Sequence, residues 1–510
     1  MTAMHLPVTP ITNNEKFPWI VQKFGGTSIG KYLENIANDI VKPYLEVRRV
    51  ALVCSARSGE TKAKGTTNRL LEASKEALKK DSKNYVRIVD EICQEHVKSS
   101  QSIIMNKEIL KELEKQLIQD CLKLKNFLEA AQIIGEITPR SQDSIIGVGE
   151  KLSCRIITAV LQDKGIDAEF FNLDDVIDQR LDENNLNQKF YDYLAKRIAD
   201  VVSKCGNRVP VITGYFGQVP GSLLNNIGRG YTDLCSALLA VGLGAKELQV
   251  WKEVDGIFTA DPRKVSNARL LPIITPEEAS ELTYYGSEVI HPFTMEQVIR
   301  ANIPIRIKNV INPSGKGTII FSDINEVIKV TSKKGLLSGS RCISTLLHEN
   351  GYHVDMSRRH PTAVTIKNNI IVINIHSNRK TMSHGFLAQI FIALDTYGII
   401  VDLISTSEVH ISMALGVEGD LERALKELEK LGTVDVLKNM AILSLVGKQM
   451  KSMVGIAGKM FSTLAAANVN IEMISQGASE INISCVIDEY NADKALNIIH
   501  EHLISNLPVL

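Results

Sequence analysis

No stretch of about 18 apolar residues occurs in the 510-residue chain, which excludes a conventional membrane-spanning helix. The first twenty residues have no basic end leading into an apolar run, so secretion is not expected. An excess of charge of either sign is also missing. Lys plus Arg and Asp plus Glu number 58 each, which leaves no electrostatic case for nucleic acid or an anionic membrane surface. The eight cysteines form no close C-x-x-C pair, and Cys54, Cys154, Cys235 and Cys485 lie in apolar or motif-rich surroundings. That usage argues for reduced thiols rather than a disulfide framework. Neither a Walker A sequence nor a complete G-x-G-x-x-G with a following ribose-binding acid is present, so the usual ATPase and nicotinamide-dehydrogenase patterns gain no support. What remains is a cytoplasmic protein whose partners are small molecules or copies of itself.

The chain carries an internal echo. Gly385 to Ser412 reappears from Gly455 to Ser484, with Phe391 answering Phe461, Ile404-Ser405 answering Ile474-Ser475, and Glu480 answering Glu408 after a two-residue insertion. Each copy follows an apolar run (Ile371 to Ile375; Ile442 to Val446) with a helical apolar rhythm, a turn and two strand-like stretches. This is the β-α-β-β start of a ferredoxin-like module, and two of them suggest a sensor attached to a larger machine. Structural duplication without a sensing role is the plainer alternative. A hydrophobic content of 44% at this length supports about three to four domains.

Upstream, Trp19 to Phe24, Arg49 to Cys54, Asp167 to Leu173, Arg208 to Thr213 and Glu247 to Trp251 read as strands. Pro210 argues against a central place for its strand. A helix is expected from about Lys31, helices from 68 to 132 with a solvated charged face, a glycine turn and helix at Ile145 to Arg155, and a helix over Leu234 to Leu243. The alternation predicts an open, mainly parallel α/β sheet covered on both faces, with ligands beyond the carboxyl ends of its strands. Four Gly-rich loops fall at strand exits.

Two of these loops carry charged residues. Lys23-Phe24-Gly25-Gly26-Thr27-Ser28 sets a cation beside small residues and hydroxyls, which suits a phosphoryl group and equally suits a tight strand-to-helix turn with a surface lysine. In Gly228-Arg229-Gly230-Tyr231-Thr232-Asp233, Arg229 can grip a carboxylate and Asp233 an ammonium, the two fixed ends of an amino acid. The alternative is a helix-capping Asp233 and an ordinary surface pair.

KFGGTS at Lys23, GVGEKLS around Glu150, GRGYTD at Gly228, WKEVDGIFTADPR at Trp251 and YGSEVIHPFTMEQV at Tyr285, followed by the two repeats, resemble aspartate kinases, above all the monofunctional fungal type. The resemblance runs from Val21 to the C-terminus. It implies a three-layer αβα amino-acid-kinase fold followed by two α+β ferredoxin-like ACT domains. The corresponding boundaries are a leader over 1–18, a catalytic domain over 19–325, a linker over 326–369, and ACT-like domains over 370–435 and 436–510. The implied activity is phosphorylation of the L-aspartate β-carboxylate with MgATP, at the start of threonine, methionine and, in some organisms, lysine synthesis. A noncatalytic amino-acid or nucleotide sensor is the alternative from another class.

Carried onto matching positions, the resemblance places Lys23 at the transferring group, with Gly25, Gly26, Thr27 and Ser28 around the phosphates. Ser55, Thr67 (with Asn68), Glu150, Arg229 and Asp233 fall on the aspartate side. Lys252, Glu253, Val254, Phe258, Asp261, Arg263 and Lys308 fall on the nucleotide side. Glu288 stands where many bacterial relatives have a lysine, so phosphate binding does not transfer to it; His291 fits a structural role better than a base. An aspartate side chain of pKa about 3.9 is already ionised at neutral pH and needs no general base. The resemblance further implies a homo-oligomer inhibited by L-threonine. The regulatory candidates are Asp402, Ser405, Thr406, Ser407 and Glu408 in the first repeat and Asn468, Asn470, Ile471, Gln476 and Gly477 in the second, with Ser407 and Glu408 also readable as caps.

Overall fold

The computed structural model describes residues 10–59, 65–178, 186–219, 221–284, 290, 292–320, 360–377, 385–407, 410–416, 419–448, 450–477 and 481–505. Glu288, His291 and Glu408 lie outside the described residues, as does the side chain of Arg229. In chain order the strands are β1 (Trp19–Phe24), β2 (Arg49–Cys54), β3 (Ala168–Phe171), β4 (Val209–Thr213), β5 (Glu247–Lys252), β6 (Ile273–Ile274), β7 (Ile305–Asn309) and β8 (Thr318–Ile320). They continue with β9 (Ala363–Ser377), β10 (Val401–Thr406), β11 (His410–Gly416), β12 (Gly432–Val446), β13 (Met473–Ser475) and β14 (Asn482–Asp488).

Contacts divide the chain into two units, Met1–Gly256 with Ile290–Ser322, and Ile257–Val289 with Asp323–Leu510. In the first, strands run in the order β3-β4-β2-β1-β5-β7-β8, parallel except for the final β7/β8 pair. The central strand β1 is buried along its whole length after Trp19, as helices on both faces require. Its one polar pair lies inside the sheet, where the Gln22 side-chain amide donates to Gln249 Oε1 at 3.0 Å and Trp251 Nε1 donates to the same oxygen at 3.2 Å, while the buried Gln22 Oε1 has no partner among the described residues. Phe24 stacks on Trp251 with ring centroids 6.1 Å apart, an arrangement worth about 0.5–1.5 kcal/mol beyond its buried area.

The helices of this unit begin where their caps dictate. Asn106 accepts from the amides of Glu108 and Ile109 to open Lys107–Ile134, and Thr138 accepts from Ser141 with Pro139 at the first turn of Pro139–Asp163. Three expectations need correction. The first helix starts at Gly26, not near Lys31. Ile145 to Arg155 contains no turn but lies inside Pro139–Asp163, where Gly147 is required by closeness: a Cβ there would sit 2.7 Å from the Tyr215 ring. The strand of Pro210 is central after all, since β4 pairs with both β3 and β2, but Pro210 itself stands near its start, opposite Glu169 of β3 and ahead of the first β2 pair, Leu52 with Val211.

The second unit holds a six-stranded antiparallel sheet in the order β10-β11-β9-β12-β14-β13. The later half of β9 pairs with β11 and the start of β12, while the early half of β9 pairs with the end of β12, which also pairs with β14. Each long strand therefore serves both repeats, as first strand of one and fourth strand of the other, and the repeats interlock in one sheet. Helices Phe386–Thr396 and Ile456–Ala466 occupy equivalent places, each entered through a glycine at positive φ, 84° at Gly385 and 81° at Gly455. A side chain other than glycine would be strained there. Ile371, Ile373 and Ile375 pack with Ile390 and Leu394 under the first helix, whereas Ala441, Leu443 and Leu445 pack with Met460 and Leu464 under the second. The intervening Ile370, Val372, Met440 and Ile442 bury on the opposite face, as a period of two demands.

The linear boundaries fit this interlocked arrangement only loosely. β9 begins ahead of 370, and β12 runs through 435–436. Residues 257–289, placed by the linear division inside 19–325, pack with the second unit: Ala260 and Val265 join the core of the second repeat, and Thr259 Oγ1 lies 2.8 Å from His500 Nε2.

Candidate active site

The exits of β1, β2, β4 and β5 and the start of helix Tyr231–Gly242 bring the polar residues of the first unit together. The backbone alone knits the first two loops, since Ser55 N donates to Phe24 O at 3.1 Å and Ser58 N to Gly26 O at 2.9 Å. At Gly26 only hydrogen fits: a Cβ would lie 2.2 Å from Ala56 O. The approach of the neighbouring loop thus explains Gly26, whereas a Cβ at Gly25 would meet nothing within 4 Å.

Lys23, the last residue but one of β1, is almost completely buried, and its Nζ lies 2.7 Å from Asp233 Oδ1, in the first turn of helix Tyr231–Gly242. Ser28 donates from Oγ to Glu253 Oε1 at 2.7 Å, tying the first loop to the exit of β5. A second chain of bonds runs from Ser55 Oγ to Thr232 Oγ1 at 3.1 Å and from Thr232 Oγ1 to Glu150 Oε1 at 2.6 Å, while Tyr215 N donates to Glu150 Oε2. Burial pushes the Glu150 carboxyl up to about 7, against the opposing pull of these donors, Tyr231 and the charge of Lys23. A cavity of about 170 Å³ lies over this chain, lined in part by Gly26, Ser55, Thr67, Asn68, Glu150 and Thr232. Thr27 is half-buried beside it in sequence.

Other candidates are placed elsewhere. Lys308 stands opposite Trp251 in the β5/β7 register, with Nζ 4.9 Å from the Trp251 ring and 3.2 Å from Tyr44 Oη. Pleat alternation puts Phe24, Trp251 and Lys308 on one face and Lys23 on the other. Burial, with Arg306 nearby, lowers the Lys308 ammonium to about 8. Lys252 leaves β5 on the Lys23 face, and Val254 is exposed. Phe258, Asp261 and Arg263 belong to the second unit, where Phe258 bridges Leu270 and the exposed Arg263 holds Asp261 through Nη2–Oδ2 at 2.7 Å.

Among the regulatory candidates, Asp402 accepts from Lys367 Nζ at 2.7 and 2.8 Å. Ser405 and Thr406 are exposed on β10, and Ser407 closes the turn to β11, its Oγ accepting from His410 N at 3.2 Å. Asn468 takes a positive φ of 54°, Asn470 Nδ2 donates to Glu472 Oε1 at 2.7 Å, and Ile471 packs on the core of the second repeat. Gln476 and Gly477 follow β13 directly.

Sequence reasoning passed over Asp143 and Thr232. Asp143, fully buried, accepts from Ser222 Oγ at 2.9 Å, Leu223 N at 2.6 Å and Leu224 N at 3.1 Å, and so sets the loop that leads to Gly228. A lone acid just ahead of the apolar stretch Ile145-Ile146 was the available signal. Thr232 sat unremarked between Arg229 and Asp233, yet it links Ser55 to Glu150.

The amino acid kinase family model matches residues 18–309, and an ACT domain model matches 443–503. The chain is 55% identical to the aspartokinase of Schizosaccharomyces pombe over 98% of its own length and 95% of that protein. It is also 55% identical to the aspartokinase of Candida albicans, over 95% of this chain and 90% of that one. Among solved structures, Escherichia coli aspartokinase III in complex with lysine and aspartate superposes with a TM-score of 0.72 at 25% identity, covering 95% of this chain and 99% of the other. The family model and these relatives place the chain among the aspartokinases of the amino acid kinase family, as an aspartate kinase that transfers phosphate to a carboxyl group.

Proposed function

We propose that Lys23 and Asp233 divide the work of a single ternary site, in which L-aspartate attacks the γ-phosphorus of MgATP through its β-carboxylate and yields 4-phospho-L-aspartate and ADP. The observation that carries this reading is the 2.7 Å Lys23–Asp233 pair at the meeting of two glycine loops. Lys23 offsets phosphoryl charge, with Gly25, Gly26, Thr27 and Ser28 beside the phosphates, and Asp233 receives the substrate ammonium. Ser55, Thr67, Glu150 and Arg229 form the aspartate side. On the family resemblance the nucleotide side is Lys252, Glu253 and Val254 at the exit of β5; Lys308, on the opposite face of the sheet from Lys23, and Phe258, Asp261 and Arg263, in the second unit, are left out of it. Mg²⁺ would be held by the substrate phosphates, waters and Glu253, the carboxylate that accepts from the phosphate-side Ser28. When bound, it supplies positive charge to the phosphates. The chemistry needs no phosphoenzyme, since the nucleophile is already ionised.

Initial rates test the order of events. Intersecting lines, with ADP–ATP exchange only when aspartate is present, support one ternary site; parallel lines with aspartate-independent exchange contradict it.

The interlocked repeats form the regulatory part in this reading. L-threonine binds there, at Asp402 and Ser405 to Glu408 or at Asn468, Asn470, Ile471, Gln476 and Gly477, and favours a less active homo-oligomer in the cytoplasm. The E. coli aspartokinase III complex with lysine and aspartate supports an amino-acid effector, and the fungal resemblance supports threonine. Such a ligand inhibits only by binding the inactive state more tightly.

A further inference from the structure

We propose that His376 and His410 form a binding site for one late first-row transition-metal ion, Zn²⁺, Ni²⁺ or Cu²⁺, on the first repeat. The two histidines face each other across β9 and β11 as direct register partners, and both are exposed. Their Nδ1 atoms lie 3.2 Å apart and their ring centroids 4.2 Å apart. The ring planes are tilted by 33°, so the two imidazoles lie partly over one another with their Nδ1 edges together.

The spacing matches the bite of a metal ion. Zn–N bonds of about 2.0–2.1 Å at a tetrahedral angle hold two nitrogens about 3.3 Å apart. Imidazole suits zinc, copper and nickel, whereas magnesium and calcium take oxygen donors. Each ring is set by backbone that does not depend on the ion. His376 lies in the middle of the sheet, paired on its other side with Thr433 of β12, and His410 N is held by Ser407 Oγ. Two protein nitrogens leave the remaining positions to water. Occupancy clamps β9 to β11 at the end where Ser407 closes the turn to β10. The other occupant of the gap is a single proton shared as an N–H···N hydrogen bond, which would leave the pair indifferent to metal.

Chelator-stripped full-length protein titrated calorimetrically with Ni²⁺ or Zn²⁺ decides between them. The expected result is a saturable step of one ion per chain, weakened at least tenfold in His376→Ala and in His410→Ala. Uptake of no ion by the wild type, or the same step in the double variant, overturns the proposal. Cu²⁺ electron paramagnetic resonance on the wild type gives an answer independent of how the variants fold: coupling to two imidazole nitrogens supports the site, and coupling to none overturns it.

Discussion

Lys23 Nζ and Asp233 Oδ1 stand 2.7 Å apart, joining the end of the central strand to the first turn of helix Tyr231–Gly242. Both side chains are nearly buried, so each is the other's principal counter-charge. Neither can be altered without leaving the other poorly compensated.

Lys23→Met is therefore expected to lower kcat by roughly a hundredfold or more, the scale of losing one donor aimed at developing charge, with the KM for aspartate little changed. Steady-state kinetics on a variant with wild-type circular dichroism checks it. Near-native turnover would remove Lys23 from phosphoryl transfer.

Asp233→Ala is expected to act on the substrate side and raise the KM for aspartate, because the ammonium contact is lost. It also strands Lys23, so the double variant should lose less than the two single losses added together. Simple additivity, or an unchanged KM, would count against the shared site.

Glu150 gives a pH signature. Its carboxyl titrates near 7 in the folded protein and near 4.5 in the unfolded chain, so the folded state holds more protons between those values. Stability therefore falls as pH rises through this window, by on the order of 3 kcal/mol at most. Glu150→Gln should flatten that part of the profile in denaturant titrations from pH 4.5 to 7. An unaltered slope would mean that burial does not perturb this carboxyl.

Thr259 and His500 bind residues 257–271 to the last helix of the second repeat through a buried 2.8 Å contact. Burial holds His500 below its usual titration range, so the pair's contribution is present at neutral pH and fades as pH drops below about 6.5. Thr259→Val should cost about 1–3 kcal/mol near pH 7.5 by leaving an unsatisfied ring nitrogen. Thermal unfolding of the variant measures this, and an unchanged midpoint would make the contact incidental.

Much of this architecture was legible in the chain. β1 and β2 match the expected strands residue for residue, because each is a short, largely apolar stretch that ends at a Gly- or Ser-rich turn. The repeat located both ferredoxin-like modules through Gly385 and Gly455. Pattern alone could not show β9 and β12 serving two modules each, since strand exchange changes partners without changing periodicity. The glycines of GVGEKLS misled for a related reason: close packing against Tyr215 and a tight turn both ask for glycine, and only the fold distinguishes them. In the site, charged residues beside glycines stood out, whereas Thr232 and Asp143 act through neighbours distant in sequence.

Regulation is tested by titrating L-threonine into the full-length enzyme, with lysine and methionine alongside, while following rate and oligomeric mass. Threonine is expected to lower the rate saturably and shift the mass distribution. Failure of all three to change either would dismiss the regulatory role while leaving catalysis untouched.

The most direct test of the central claim is trapping of the product. Purified protein incubated with MgATP and hydroxylamine should form hydroxamate when L-aspartate is supplied, little or none with L-glutamate, and far less with Lys23→Met. Folded wild-type protein that binds nucleotide and aspartate yet forms no aspartate-dependent hydroxamate would contradict phosphoryl transfer to the aspartate carboxylate.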